Sequence, residues 1–477
     1  MENMYASVKY SFLTEAQAKT MAESCYRILE NTGCEIRNDR VRQLLAEKGC
    51  KVEGNLVKIP AELTRWAIEQ APSEITLYGR DGAADMVLKP GNVYFGPAIT
   101  IAQVYDPETG SRRYADKEDT VRSTVIMDTL PNISWVSALT SPSDIPTSVR
   151  DIAELYYVLC NTRKPVMYWA QDIRNLEYQF EMFEAVGGGS EAIREKPFMV
   201  NLVCPLDPLV HTEGGIDQLI YLAEKKSPVV YIAGIGFGLT GPATIAGAVN
   251  LGICDTLAGL VVSQVVNPGT PFIASKFSDN VDMRTMKVTH SAPEMQVALA
   301  ATADVFRYMG LPFCSNYGGT DNCELDQISM FDKCTQYYTA LLSGTNMNFA
   351  TGAYESGNYA KHADLVLADE IISYLKVLTA GMEISDETLA EDVIDEVGPG
   401  ENFIAEEHTL EHIYDFWQAD ILKPRVSDSD NTRTLEERIN ERMEKILAGG
   451  VKNPLPPETA RSLSEIFERA AAELAKQ

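Results

Sequence analysis

The sequence is short of the residues that usually carry acid, base or nucleophilic chemistry. Only five histidines occur in 477 residues, and none falls at the end of a predicted strand, although His211, His290 and His362 lie in loops that would reach one. There is no G-x-S-x-G elbow, and spacing assembles no Ser-His-Asp or Cys-His set. The nine cysteines are odd in number and form no C-x-x-C pair, which excludes a disulfide framework and points to reduced, buried thiols. Positive charge is scarce as well. With 41 basic residues against 68 acidic, the net charge of −27 would repel a phosphate backbone, so nucleic acid is not an expected partner. No stretch reads as a membrane span, and no basic, then apolar, leader opens the chain. A cytoplasmic protein is the expectation.

What is present is ordinary globular material, 45% hydrophobic and 23% charged, organised around the stretch from Ser227 to Val266. Pro228 opens a short β-branched run, Val229 to Ala233, that is too short for a helix and reads as a buried strand. Gly234, Gly236, Gly238 and Gly241 follow, then Pro242 and a helical run rich in Ala and Leu. The unit is strand, glycine loop, helix, and its loop amides (Gly234, Gly236, Gly238) form a candidate binding site. Gly236-Phe-Gly-Leu-Thr-Gly241 also fits G-x-G-x-x-G, with Asp255 as the acidic ribose partner of a dinucleotide. Against that reading, the motif lies mid-chain and Asp255 falls within the next helix. The other reading is a strand-to-helix loop at the catalytic face of a barrel.

Short apolar runs recur through the middle of the chain, six of them opened by proline: Pro131, Pro165, Pro197, Pro228, Pro271 and Pro312. With the runs from Val93 and Met347 the count is eight, each followed by a helical pattern, which predicts a (β/α)8 TIM barrel over 91–381. An open doubly wound sheet is the alternative. Residues 1–90 read as an N-terminal α+β extension, with helices Thr14 to Asn31, Asp39 to Lys48 and Ala61 to Gln70. Residues 382–477 read as an acidic, helical C-terminal extension, packed on the outside or on a neighbouring subunit of a homo-oligomer. Within it His408-Thr-Leu-Glu-His412 matches H-x-x-E-H, but the segment reads as a capped surface helix and no metal site is expected.

In a barrel the chemistry sits where strands end. Aromatics are prominent there: Phe95, Trp169, Phe237, Phe277, Tyr317 and Tyr354 all fall at predicted strand ends. Rings with few charges suit a cationic, weakly hydrogen-bonding ligand. Lys276 is the basic residue at a strand end and a candidate partner for a carboxylate, with Asn316 and the glycine amides as neutral alternatives; Glu355 completes the candidate site.

Thr240 to Ile273, Gly310 to Gln327, Leu341 to Gly357 and Glu391 to His412, together with Arg27-Ile-Leu-Glu-Asn-Thr-Gly33 and Leu77-Tyr-Gly-Arg80, resemble the trimethylamine methyltransferase family over essentially the whole chain. The resemblance implies a (β/α)8 barrel that moves a methyl group from a methylamine to the cobalt of a separate corrinoid protein. This sequence holds only standard residues, so it resembles the branch without pyrrolysine, whose members demethylate quaternary amines such as glycine betaine, proline betaine or carnitine. Cobalamin would then come with the partner, and no cofactor would be held tightly by this chain. Trimethylamine as donor, an NAD-dependent oxidoreductase and a betaine-binding protein without catalysis remain as alternatives.

Overall fold

The structure is a computed structural model and describes residues 4–6, 10–106, 109–423 and 433–474. Seven strands build the central sheet. Val166–Tyr168, Met199–Val203, Val229–Gly236, Phe272–Asp282, Phe313–Ser315 and Met347–Thr351 pair in parallel in that order, and Met347–Thr351 pairs back to Tyr94–Pro97. The run predicted as a strand from Ile133 closes the ring through single bridges, Phe95 to Ile133 and Val136 to Val166. Within that run the Trp135 indole fills the barrel interior against Gly96, where any Cβ would lie 2.1 Å from Trp135 Cε2. Eight helices alternate with these segments, from Lys117–Thr129 to His362–Ala380, so the fold is a (β/α)8 barrel.

Both faces of the strands are buried, as expected of a parallel sheet under helices. Met167, Val200, Val230, Ile273 and Met347 face inward. The hairpin of Ile75–Tyr78 and Ala84–Leu88 plugs the end where the strands begin, burying Ile75, Leu77, Met86 and Leu88 against them. Backbone bonds from Tyr78 to Pro197 (2.8 Å) and from Arg80 to Arg163 (2.7 Å) hold it there, so only the carboxyl ends of the strands are open.

Helix boundaries follow local chemistry. Thr14 caps Glu15–Asn31 in a capping box with Gln17, Asn38 caps Asp39–Glu47, and Gly344 ends Gln327–Ser343 in a left-handed conformation. By length and composition alone Ile245–Val266 is apolar enough to cross a membrane, contrary to the sequence reading. It is buried instead between the barrel wall and the helices Glu15–Asn31 and Ala61–Gln70, which is why it is apolar all round.

At the other end of the chain, Leu435–Ala448 packs on His362–Ala380, and Pro457–Leu474 lies across Ile173–Gly187, with Phe467 stacked on Tyr156 at 5.4 Å. Both lie on the outside of the barrel. Residues 431–432 of the link before them and 475–476 of the last predicted helix are outside the described residues.

Candidate active site

A cavity of about 610 Å³ opens at the carboxyl ends of the strands. Its wall is largely apolar, and among its described lining residues there is no Lys, Arg, Asp or Glu. Phe277 and Phe349 meet with ring centroids 5.4 Å apart, and His290 presents its ring to Phe277 at 5.7 Å and 61°. Trp169 adds a third large ring, with Gln171, Thr212 and Gln218 supplying neutral polar groups. Cys204 also lines the wall, with its surface exposed to the cavity and its thiol raised by the packing around it.

Two buried acids on the helix Arg150–Asn161 hold this wall in place from behind. Trp169 Nε1 donates to Glu154 Oε2 at 3.0 Å, and Ser141 Oγ donates to Glu154 Oε1 at 2.7 Å. Asp151 accepts from the Gln171 amide at 2.9 Å and from Asn175 Nδ2 at 2.7 Å. Burial pushes the Glu154 carboxyl up to about 8; the bonds from Ser141 and Trp169 oppose that rise, and the charge of Asp151 adds to it.

Of the residues singled out from the sequence, Trp169 and Phe277 line this cavity. Strand alternation takes Lys276 the other way: Ile273 and Phe277 face the barrel interior, whereas Lys276 is fully buried beneath the helix Ile245–Val266. A Cβ at Gly252 of that helix would sit 2.5 Å from Lys276 Cε, and the ammonium lies 5.7 Å from the Phe237 ring centroid. Phe95 faces the helix layer, edge-on to Tyr337 at 5.3 Å. Tyr317 is buried there too, its hydroxyl donating to the Gln296 carbonyl at 3.2 Å, and Asn316 contacts Met295 Sδ at 3.9 Å. Tyr354 donates to Asp364 at 2.9 Å, and Glu355 pairs with Arg112 at 2.6 Å. None of these seven is among the residues lining the cavity.

The strand runs past Ala233 to Gly236, so Gly234 and Gly236 belong to it rather than to a loop, and the turn that follows closes on itself. The Gly234 amide donates to Asp207 at 2.7 Å, Gly236 to Thr240 Oγ1 at 2.8 Å, and Gly238 to the Gly241 carbonyl at 3.0 Å. These amides are therefore satisfied by the protein rather than turned towards a pyrophosphate, and Asp255 is buried with Asp207 instead of reaching a ribose. Of the loop histidines, His290 alone lines the cavity; His211 bonds the Tyr231 hydroxyl at 2.7 Å, and His362 is buried near Asp119. His412 of the H-x-x-E-H stretch bonds Asp415 at 2.6 Å.

Sequence reasoning missed Phe349 and Glu154. The first shares its strand's inward face with Met347 two residues earlier, but that strand is buried on both faces and no local signal set which face points inward. The second had a weak signal, an acid on the apolar face of an amphipathic helix among Ile152, Leu155 and Val158.

A closed barrel, plugged at one end and carrying a ring-lined cavity at the other, is the architecture of a barrel enzyme whose ligand enters at the carboxyl ends of the strands. Residues 3–475 match the profile of the trimethylamine methyltransferase family (MTTB), and the chain belongs to that family and is a methyltransferase. It is 29% identical to glycine betaine methyltransferase of Desulfitobacterium hafniense, over 98% of this chain and 99% of that one. It is 28% identical to trimethylamine methyltransferase MttB from another strain of that organism, covering 94% and 92%, and 26% identical to MttB of Methanosarcina barkeri, covering 98% and 97%. The crystal structure of Methanosarcina barkeri monomethylamine methyltransferase (MtmB) shares the fold, with a TM-score of 0.53 at 9% identity over 98% of this chain and 88% of that one.

Proposed function

We propose that this methyltransferase removes a methyl group from a quaternary amine of the betaine class, such as glycine betaine, proline betaine, carnitine or butyrobetaine, and passes it to a separate corrinoid protein. The observation that carries the reading is the cavity wall, in which Trp169, Phe277 and Phe349 supply aromatic rings and, among the described lining residues, no Lys, Arg, Asp or Glu competes for the ligand. A quaternary nitrogen leaves as a neutral tertiary amine without needing a proton. That matches a wall whose ionisable lining groups, among the described residues, are His290 and Cys204.

The residues of this chain bind the ammonium, turn one N-methyl towards the open mouth and exclude water. The open mouth of the cavity fits a group that reaches in on a partner. The corrinoid's Co(I) would supply the nucleophile there. Trimethylamine as donor is the second reading, favoured by the relatives named trimethylamine methyltransferase.

Self-association is proposed through residues 382–416. There Ile404, Tyr414 and Phe416 are 78%, 91% and 72% exposed, and helices Glu391–Val397 and Glu407–His412 bury no residue. This arm leaves the barrel beside Thr379, which shares a pocket with Pro90 and Val93 at the plugged end, and returns to the same helix where Trp417 Nε1 donates to Ser373. A second copy is its proposed occupant, and Tyr414→Asp with Phe416→Asp would shift the sedimentation coefficient towards that of a monomer. A cytoplasmic setting fits the nine free cysteines.

The reaction is tested by adding quaternary amines one at a time to the protein with photoreduced Co(I) corrinoid protein. Replacement of the Co(I) band by methyl-Co(III) with a betaine and not with trimethylamine is the expected result. Conversion with trimethylamine alone would establish the second reading. No conversion with either, using a corrinoid partner competent with another methyltransferase, would sink both.

A further inference from the structure

Glu154 is a buried acid that the methyl-transfer reading does not use. It is 2% exposed, sits on a helix outside the barrel wall, and is hydrogen-bonded to the cavity-lining Trp169. Both of its oxygens receive a hydrogen bond, from Ser141 Oγ at 2.7 Å and from Trp169 Nε1 at 3.0 Å. An indole N–H can only donate, so Oε2 accepts from it in either protonation state, while the rotatable Ser141 hydroxyl can donate to a carboxylate or accept from a carboxylic acid; the site holds both forms. With a negative charge on its N–H, the indole becomes a richer π-donor, and the cavity gains a counter-charge without placing a carboxylate in contact with the ligand.

We propose that Glu154 is the counter-charge of the cation site, a positioning residue that acts through Trp169 and ionises when a cation occupies the cavity, so that cation binding releases a proton. The inference deepens the quaternary-amine reading and rests on it. The charged groups that act most strongly on Glu154 are Asp151, which disfavours its ionisation, and Arg150, which favours it. From the helix packed alongside, Asn175 and Gln179 reach Asp151 rather than Glu154. Burial leaves the Glu154 carboxyl at about 8, largely protonated at neutral pH. A cation across the indole favours the carboxylate, and linkage then makes affinity rise with pH below that value. A neutral ligand has no such coupling.

The test is titration calorimetry of the full-length protein with tetramethylammonium and with glycine betaine, in buffers of different ionisation enthalpy. The expected result is release of up to about one proton per cation bound near pH 7, and affinity rising by as much as about tenfold per pH unit below pH 8. Uncharged 3,3-dimethylbutan-1-ol should bind without proton release. In Glu154→Gln both the proton release and the pH slope should vanish, while Ser141→Ala, which removes one donor, should move the slope to higher pH. Wild-type binding that releases no proton, or Glu154→Gln and Ser141→Ala variants that each behave as wild type, would overturn the proposal. If betaine demethylation persists alongside those results, the quaternary-amine reading stands and only the counter-charge fails. If no cation binds at all, both fall.

Discussion

Lys333 Nζ and Asp364 Oδ2 meet at 3.0 Å with neither side chain exposed, joining the helices Gln327–Ser343 and His362–Ala380. The pair also reaches the strand ends: Lys333 donates to the Gly318 carbonyl at 3.0 Å, and Asp364 accepts from the Gly352 amide at 3.0 Å and the Tyr354 hydroxyl at 2.9 Å. This network is what keeps Tyr354 at the helix layer and out of the cavity.

Removing one partner from such a pair strands a buried charge. Lys333→Met should therefore cost about 3–5 kcal/mol of stability. The double change Lys333→Met with Asp364→Asn should recover part of that loss. Urea denaturation of the three proteins reads both numbers.

The rings that line the cavity should separate from those that do not. Phe277→Leu or Phe349→Leu is expected to weaken binding of a quaternary ammonium by about 2- to 30-fold, corresponding to ~0.5–2 kcal/mol of lost cation–π attraction. Tyr317→Phe, whose hydroxyl bonds the Gln296 carbonyl in the helix layer, should leave that affinity unchanged. Calorimetry with choline and its uncharged analogue 3,3-dimethylbutan-1-ol checks the charge dependence, since equal losses for the two ligands would remove the cation–π account.

Lys276 makes a sharp negative prediction. Because its stem packs against Gly252 on the far side of the strand, Lys276→Met should not change the ratio of glycine betaine to choline affinity. A selective loss for the carboxylate-bearing ligand would mean that the ammonium reaches the cavity. Gly252→Ala, by contrast, drives a methyl into that stem and should destabilise by about 1–3 kcal/mol, read from the shift in the urea midpoint.

The acid pair behind the glycine loop sets a pH dependence of stability. Burial and the neighbouring Asp207 push Asp255 up to about 8, and burial raises Asp207 to about 6. Both folded values exceed the unfolded value of about 3.9, so the native state binds protons more tightly than the unfolded chain. Stability from this pair is complete below about pH 4 and is lost as pH rises towards about 8. Asp255→Asn keeps an acceptor for the Leu209 amide and cannot ionise, so its urea midpoint should fall less than that of the wild type between pH 6 and 9. A steeper fall in the variant would contradict this assignment.

Much of the barrel was legible in the sequence because its determinants are local. Proline before Val166, Phe198, Val229, Phe272 and Phe313 marks where strands begin, and capping residues such as Thr14 and Asn38 mark where helices start. The turn in the glycine stretch after Val229 was legible, but its Gly-x-Gly-x-x-Gly spacing carries no information on whether its amides face a ligand or each other.

The facing of the strand residues was decided only by the tertiary structure. A parallel strand covered by helices is apolar on both sides, so polar and apolar residues do not alternate to set its phase. Phe272, Ile273 and Ala274 are all fully buried, and nothing local says that Phe277 enters the cavity while Lys276 lies under a helix. Barrel closure supplies that phase. The same closure brings Glu154 from one helix to the indole of Trp169 at the next strand end, a contact no spacing rule encodes because it depends on how helix and strand pack. Sequence alone therefore determined the order of elements, the family and the predominance of rings over acids at the strand ends, all properties of residues taken in short windows. Which rings share the cavity, and which acid stands behind them, followed from packing.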